Sequence, residues 1–89
     1  MDPRRPSRQR VTLTWRDRHG QGVAYAACRD ISPAGMGIEC CEPIPVNTRV
    51  VAYIENDVIP ASIRYRKVHG GTYRLGLEFI DSRRPNRSL

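Results

Sequence analysis

Six strand-length runs, most of them alternating apolar with polar residues and each followed by a turn signal, fill residues 11 to 79 of this 89-residue chain, and no stretch carries a helical stripe. Val11, Leu13 and Trp15 alternate with Thr12, Thr14 and Arg16, and His19-Gly20-Gln21-Gly22 turns the chain. A second run, Val23 to Arg29, has small residues at Ala24, Ala26 and Cys28, and Asp30-Ile31-Ser32-Pro33-Ala34-Gly35 ends it as a turn in which Gly35 is free to take a positive φ. Met36, Ile38 and Cys40 form the third run, broken by Pro43 and Pro45. The fourth, Val50 to Glu55, is apolar on both sides, as for a strand covered by neighbours, and turns at Asn56-Asp57. Ile59, Ala61, Ile63 and Tyr65 face one way on the fifth, opposite Ser62, Arg64 and Arg66. Gly70-Gly71 leads to the sixth, with Tyr73, Leu75, Leu77 and Phe79 on its apolar face. With no helix to cover a sheet face, six such strands are best satisfied by closing on themselves, which removes the exposed edges. The expected organisation is an all-β barrel over 11–80, preceded by a flexible arginine-rich segment (1–10) and followed by a polar tail (81–89).

Charge narrows the partner. The net charge is +6 and the pI about 9.9, and arginine supplies nearly all of it, since Lys67 is the only lysine. Such a balance calls for an anionic partner. Arg4, Arg5, Arg8 and Arg10 crowd into the first ten residues, which taken alone also fits a solvated basic tail. No apolar run approaches the roughly 18 residues of a membrane span, and nothing after Met1 resembles a secretory signal, so the expectation is a cytoplasmic protein without membrane insertion. Cys28, Cys40 and Cys41 fit neither a disulfide framework nor a zinc spacing, and read as small apolar strand residues.

Two clusters carry chemistry. Arg4-Arg5-Pro6-Ser7-Arg8 supplies guanidinium forks, suited to phosphate and to the O6/N7 edge of guanine. Asp30, Ser32 and Gly35 supply a carboxylate able to accept from guanine N1 and N2, a hydroxyl, and room for close backbone approach. Together they describe a site for a guanine-bearing phosphodiester. Without the arginines, Asp30 and Ser32 fit an ordinary Asx-type turn. Catalysis finds little support: no pairing of His19 or His69 with Ser, Cys or a carboxylate suggests a base beside a nucleophile, and both histidines read as solvated loop residues. No metal or cofactor is called for.

On these residues the chain resembles the PilZ domain, a bacterial family of cyclic di-GMP receptors. The family's RxxxR motif is matched by Arg4 to Arg8, its D/NxSxxG motif by Asp30 to Gly35, and a late strand by Tyr73-Arg74-Leu75-Gly76-Leu77-Glu78-Phe79. The resemblance implies a six-stranded antiparallel β-barrel that binds cyclic di-GMP and is not an enzyme. It implies that Arg4 and Arg8 contact phosphate and the guanine O6/N7 edge, Asp30 the Watson–Crick edge, with Ser32 adding a hydrogen bond and Gly35 clearance. Arg5 is a further candidate, for stacking on a guanine face, and Arg64 a weaker one near the ligand. Tyr65, in phase with Ile63, and Trp15 are expected in the core.

The resulting expectation is a receptor or adaptor whose arginine segment folds over cyclic di-GMP and presents a new surface to an unidentified downstream protein. A nucleic-acid-binding barrel is the competing reading. It is disfavoured because only six residues are aromatic and several tyrosines fall on expected core faces. A PilZ-like interaction domain that has lost the nucleotide is disfavoured because both motifs are intact.

Overall fold

The computed structural model describes residues 9–80 and the backbone of residues 5–6. Arg4, Arg8 and the tail 81–89 lie outside the described residues. Seven strands follow one another: β1 (Arg5–Pro6), β2 (Arg10–Asp17), β3 (Gly20–Ser32), β4 (Gly35–Cys40), β5 (Arg49–Ile54), β6 (Asp57–His69) and β7 (Thr72–Phe79). Six of them close a ring in the order β3-β2-β5-β6-β7-β4, with β4 returning to β3, and every neighbour is antiparallel. The chain thus forms the six-stranded antiparallel barrel its pattern predicts. The two-residue β1 is added outside the ring, on β3.

Alternation builds the interior. Leu13, Met36, Ile38, Ala52, Ile63 and Leu75 point inward from five of the six strands and are fully buried, and no polar or charged residue joins them among the described residues. Each large aliphatic side chain buried in this way contributes roughly 1.5–3 kcal/mol. Trp15, expected in the core, is partly buried and packs against it.

The strands depart from the sequence reading where the pattern carries no signal. β3 does not end at Arg29 but runs on to Ser32, so only Pro33 and Ala34 form the turn, and Asp30 and Ser32 are strand residues. Gly35 opens β4 without a positive φ. The β5–β6 turn is Glu55-Asn56, one residue early, with Glu55 taking φ 55°. A β-bulge at Arg64 shifts the register of β6 against β7 between Ile63 and Tyr65. That extra residue reverses the phase, and Tyr65 emerges 48% exposed instead of joining the core. Tyr25 and Tyr53 are likewise exposed, so the outer side of β5 is not covered, and of the four tyrosines only Tyr73 packs against the core.

The cysteines separate by position. Cys28 and Cys40 are buried, whereas Cys41 lies one residue past β4 and is exposed, not a strand residue. Burial pushes the Cys40 thiol up in pKa, and its Sγ donates to the Glu42 carbonyl at 3.3 Å. Native alkylation with iodoacetamide followed by mass spectrometry should therefore modify Cys41 first, leaving Cys28 and Cys40 unmodified until the chain is denatured.

Candidate functional site: a glycine-floored trough

β3 is longer than β2 can cover. β2 pairs with it only as far as Ala27, and beyond that point Pro6 and Arg5 of β1 pair with Asp30 and Ile31. A second bulge, at Arg29, shifts the β3–β4 register between Cys28 and Asp30. The result is a straight row of Cα partners across five strands, Pro6, Asp30, Gly37, Gly76 and Tyr65.

The two glycines in the middle make a floor, because the side chains on either side lean over them. A Cβ at Gly37 would meet the Asp30 carboxylate oxygens at 3.1 and 3.3 Å, and one at Gly76 would strike the Tyr65 ring. Toward the hairpin tip the next row is Ser32, Gly35, Glu78 and Ser62. Ser32 donates to the Gly35 carbonyl at 3.4 Å, and Arg64 Nε lies 3.2 Å from Glu78. Gly35, Arg64, Tyr65 and Gly76 share one hollow of about 170 Å³. Gly35 is required for a different reason than the turn conformation read from the sequence: a Cβ there would collide with the Leu77 carbonyl oxygen.

On the other side of the trough runs the row Ala27, Glu39, Arg74 and Lys67. Glu39 accepts from Thr72 Oγ1 at 2.6 Å and pairs with Arg29 at 3.4 Å. The Thr72 hydroxyl and then Arg29 outweigh partial desolvation and hold the Glu39 carboxyl below its ordinary range. Arg74 Nε is buried without an acceptor among the described residues. Arg29, Arg64, Lys67 and Arg74 thus stand around the trough with the carboxylates of Asp30, Glu39 and Glu78 among them, Arg29 paired with Glu39 and Arg64 with Glu78.

Of the residues singled out from the sequence, the fold brings Asp30, Ser32, Gly35 and Arg64 to one outer face and sets the Arg5 backbone against Ile31, next to Asp30. Arg4 and Arg8 lie outside the described residues. Sequence reasoning gives Gly37 and Gly76 no place in the site and puts Tyr65 in the core. The first two were open to discovery, since a glycine inside an alternating strand signals close approach. Among the described residues no group of three His, Cys, Asp or Glu side chains is placed to hold a metal ion.

The PilZ domain family model matches residues 2–89 of the chain. Among solved structures, the barrel is similar to the MrkH–c-di-GMP complex of K. pneumonia, with a TM-score of 0.68 at 17% identity, covering 89% of this chain and 43% of that one. It is similar also to the PilZ domain with c-di-GMP of YcgR from Escherichia coli, with a TM-score of 0.63 at 15% identity, covering 90% and 76%. The chain therefore spans less than half of the MrkH chain, and at these identities the likeness is one of fold. No curated protein matches the sequence.

The two close approaches differ in what must yield. Gly35→Ala pushes against backbone and should lower unfolding free energy by about 1–3 kcal/mol in urea. Gly76→Ala pushes against an exposed ring that can swing away, so stability should stay within about 1 kcal/mol of the parent. The Tyr65 ring resonances should nonetheless move in NMR spectra.

Proposed function

Since the chain belongs to the PilZ domain family, we propose that it is a cytoplasmic receptor for cyclic di-GMP, a binding module and not an enzyme. The observation that carries this reading is the row Pro6, Asp30, Gly37, Gly76 and Tyr65. It sets the motif carboxylate and the half-exposed Tyr65 ring on one outer face, each leaning over a buried glycine, and pairs Pro6 of β1 with Asp30. A planar base can meet an exposed ring and a carboxylate there, and a dianionic ligand the Arg64 guanidinium. MrkH and YcgR, whose folds this chain shares, were solved with c-di-GMP.

In this proposal Arg4 and Arg8 hold phosphate and the guanine O6/N7 edge, Arg5 packs on a guanine face, and Asp30 accepts from N1 and N2 with Ser32 assisting. Gly35 keeps the hairpin tip clear. Arg64 is available at low cost, because its pair with Glu78 is more than half exposed on both sides, and such pairs contribute about 0–1 kcal/mol. A phosphate can take the guanidinium over without leaving a buried charge behind.

Binding is also proposed to order the arginine segment and present it to a downstream protein. Ahead of Gln9, the described part of that segment is tied to β3 through two residue pairs, Arg5 with Ile31 and Pro6 with Asp30, and Pro6 has no N–H to give. Two phosphate-bound guanidinium groups would add far more hold than that short ladder.

Calorimetry with cyclic di-GMP tests the ligand. The parent chain should bind, and Arg8→Ala and Asp30→Ala should each lose about 1.5–3 kcal/mol, more than tenfold in affinity; a parent chain that releases no heat, or variants that bind as well as the parent, would refute the assignment. Hydrogen exchange tests the ordering: amides of residues 3 to 10 should gain protection on adding the nucleotide, while those of β7 stay unchanged.

A further inference from the structure

A second and larger hollow lies on the other side of the barrel. β2 and β5 are paired only where Thr12, Leu13 and Thr14 meet Tyr53, Ala52 and Val51, although β2 continues to Asp17 and β5 begins at Arg49. Where they part, a groove of about 340 Å³ opens, floored by Trp15, Val50, Val51, Pro60 and Ile80, with Arg16 and Arg49 on its lips. Neither arginine has a carboxylate partner among the described residues.

The surface beyond the groove is unusual for a chain of this charge. One outward row reads Val23, Thr14, Val51 and Pro60, and the next Tyr25, Thr12, Tyr53 and Val58. These eight positions across four strands carry no charge, although the net charge of the chain is +6. Tyr25 is 77% and Val58 61% exposed. A continuous apolar face bordered by basic groups marks an interaction site.

We propose that this face docks a protein partner through an extended segment that alternates carboxylate with aliphatic side chains. The pleat of such a segment sends its aliphatic residues down onto Trp15 and Val50 and its carboxylates up between Arg16 and Arg49. The edge of β2 at Trp15, Arg16 and Asp17 that β5 leaves unpaired offers backbone groups for strand addition. The rest of the partner covers Tyr25 and Tyr53. A fatty acyl anion would fill the groove and leave that face bare. A nucleic-acid strand would meet valine, threonine and proline between the tyrosines where it needs cations. A second copy would bring another +6 against the first. The inference names a surface for the partner of the proposed receptor, and it stands without the nucleotide.

The test is an amide-shift NMR titration of the full chain, free of nucleotide, with a blocked six-residue peptide alternating glutamate and leucine. Saturable shifts are expected at Trp15 to Asp17, at Arg49 to Val51 and at the Trp15 indole. The doubly substituted Arg16→Glu/Arg49→Glu chain, with both changes on the surface and the thermal melt as control for folding, should bind more than about tenfold more weakly. The matching lysine–leucine peptide should not bind. Equal binding of that peptide, no saturable shift at millimolar concentration, or undiminished binding by the charge-reversed chain would overturn the proposal. So would preferential binding of dodecanoate or oligothymidine at these residues, or shifts there on simple dilution, which would place a second copy on the face. Failure here leaves the calorimetry of cyclic di-GMP untouched, and failure of that calorimetry leaves this titration untouched.

Discussion

Everything in this barrel hangs on β3 being longer than its neighbours. Its thirteen residues must pair with β2 along the first half and with β4 along the second, and only Ala26 and Ala27 are paired with both. Closure therefore occurs through a short overlap on one strand, and the overlap is occupied by small side chains that let the strands draw together. Past Ala27 the strand overhangs β2, and an overhang presents backbone groups that need partners. The residues just before β2 are the nearest chain able to supply them. Gln9 gives its carbonyl to the Cys28 amide at 2.8 Å, and β1 continues along Asp30 and Ile31. An arginine-bearing segment is thereby led past the motif aspartate by backbone geometry, before any ligand contributes.

The two bulges act on the same trough from opposite sides. The extra residue at Arg29 aims Asp30 outward over Gly37, and the extra residue at Arg64 aims Tyr65 outward over Gly76. Without either one, the regular alternation of its strand would carry the corresponding side chain to the other face. The bulged residues themselves become surface cations, Arg29 paired with Glu39 and Arg64 with Glu78. Each bulge thus yields a wall for the trough and a guanidinium beside it.

These bulges also explain how far the sequence could be read. Alternation located the six barrel strands and their inward residues, from Leu13 to Leu77, because burial on one face is written with period two. The Gly70-Gly71 hairpin was legible because Gly70 takes φ 65°. A bulge has no compositional mark at Arg29 or Arg64, so Tyr65, in phase on paper, was assigned to the core. The motif aspartate and serine looked like turn residues because Asp, Ser, Pro and Gly are turn formers, yet hydrogen-bonding partners on both sides hold Asp30 in a strand. Tyr53 departs from the pattern for a related reason: a strand apolar on both faces reads as covered, and β5 is apolar on both faces while Tyr53 on its outer side is exposed.

That bare face and the trough divide the ring between them. β3 and β6 take part in both, β4 and β7 only in the trough, and β2 and β5 only in the apolar side. The trough sets Asp30, Tyr65 and basic side chains over buried glycines, whereas the opposite side combines valines and tyrosines with Arg16 and Arg49, which have no carboxylate partner among the described residues. The two sides are joined along the chain itself, since β2 leads directly from Gln9, beside the overhang of β3, to Trp15 and Arg16 at the groove.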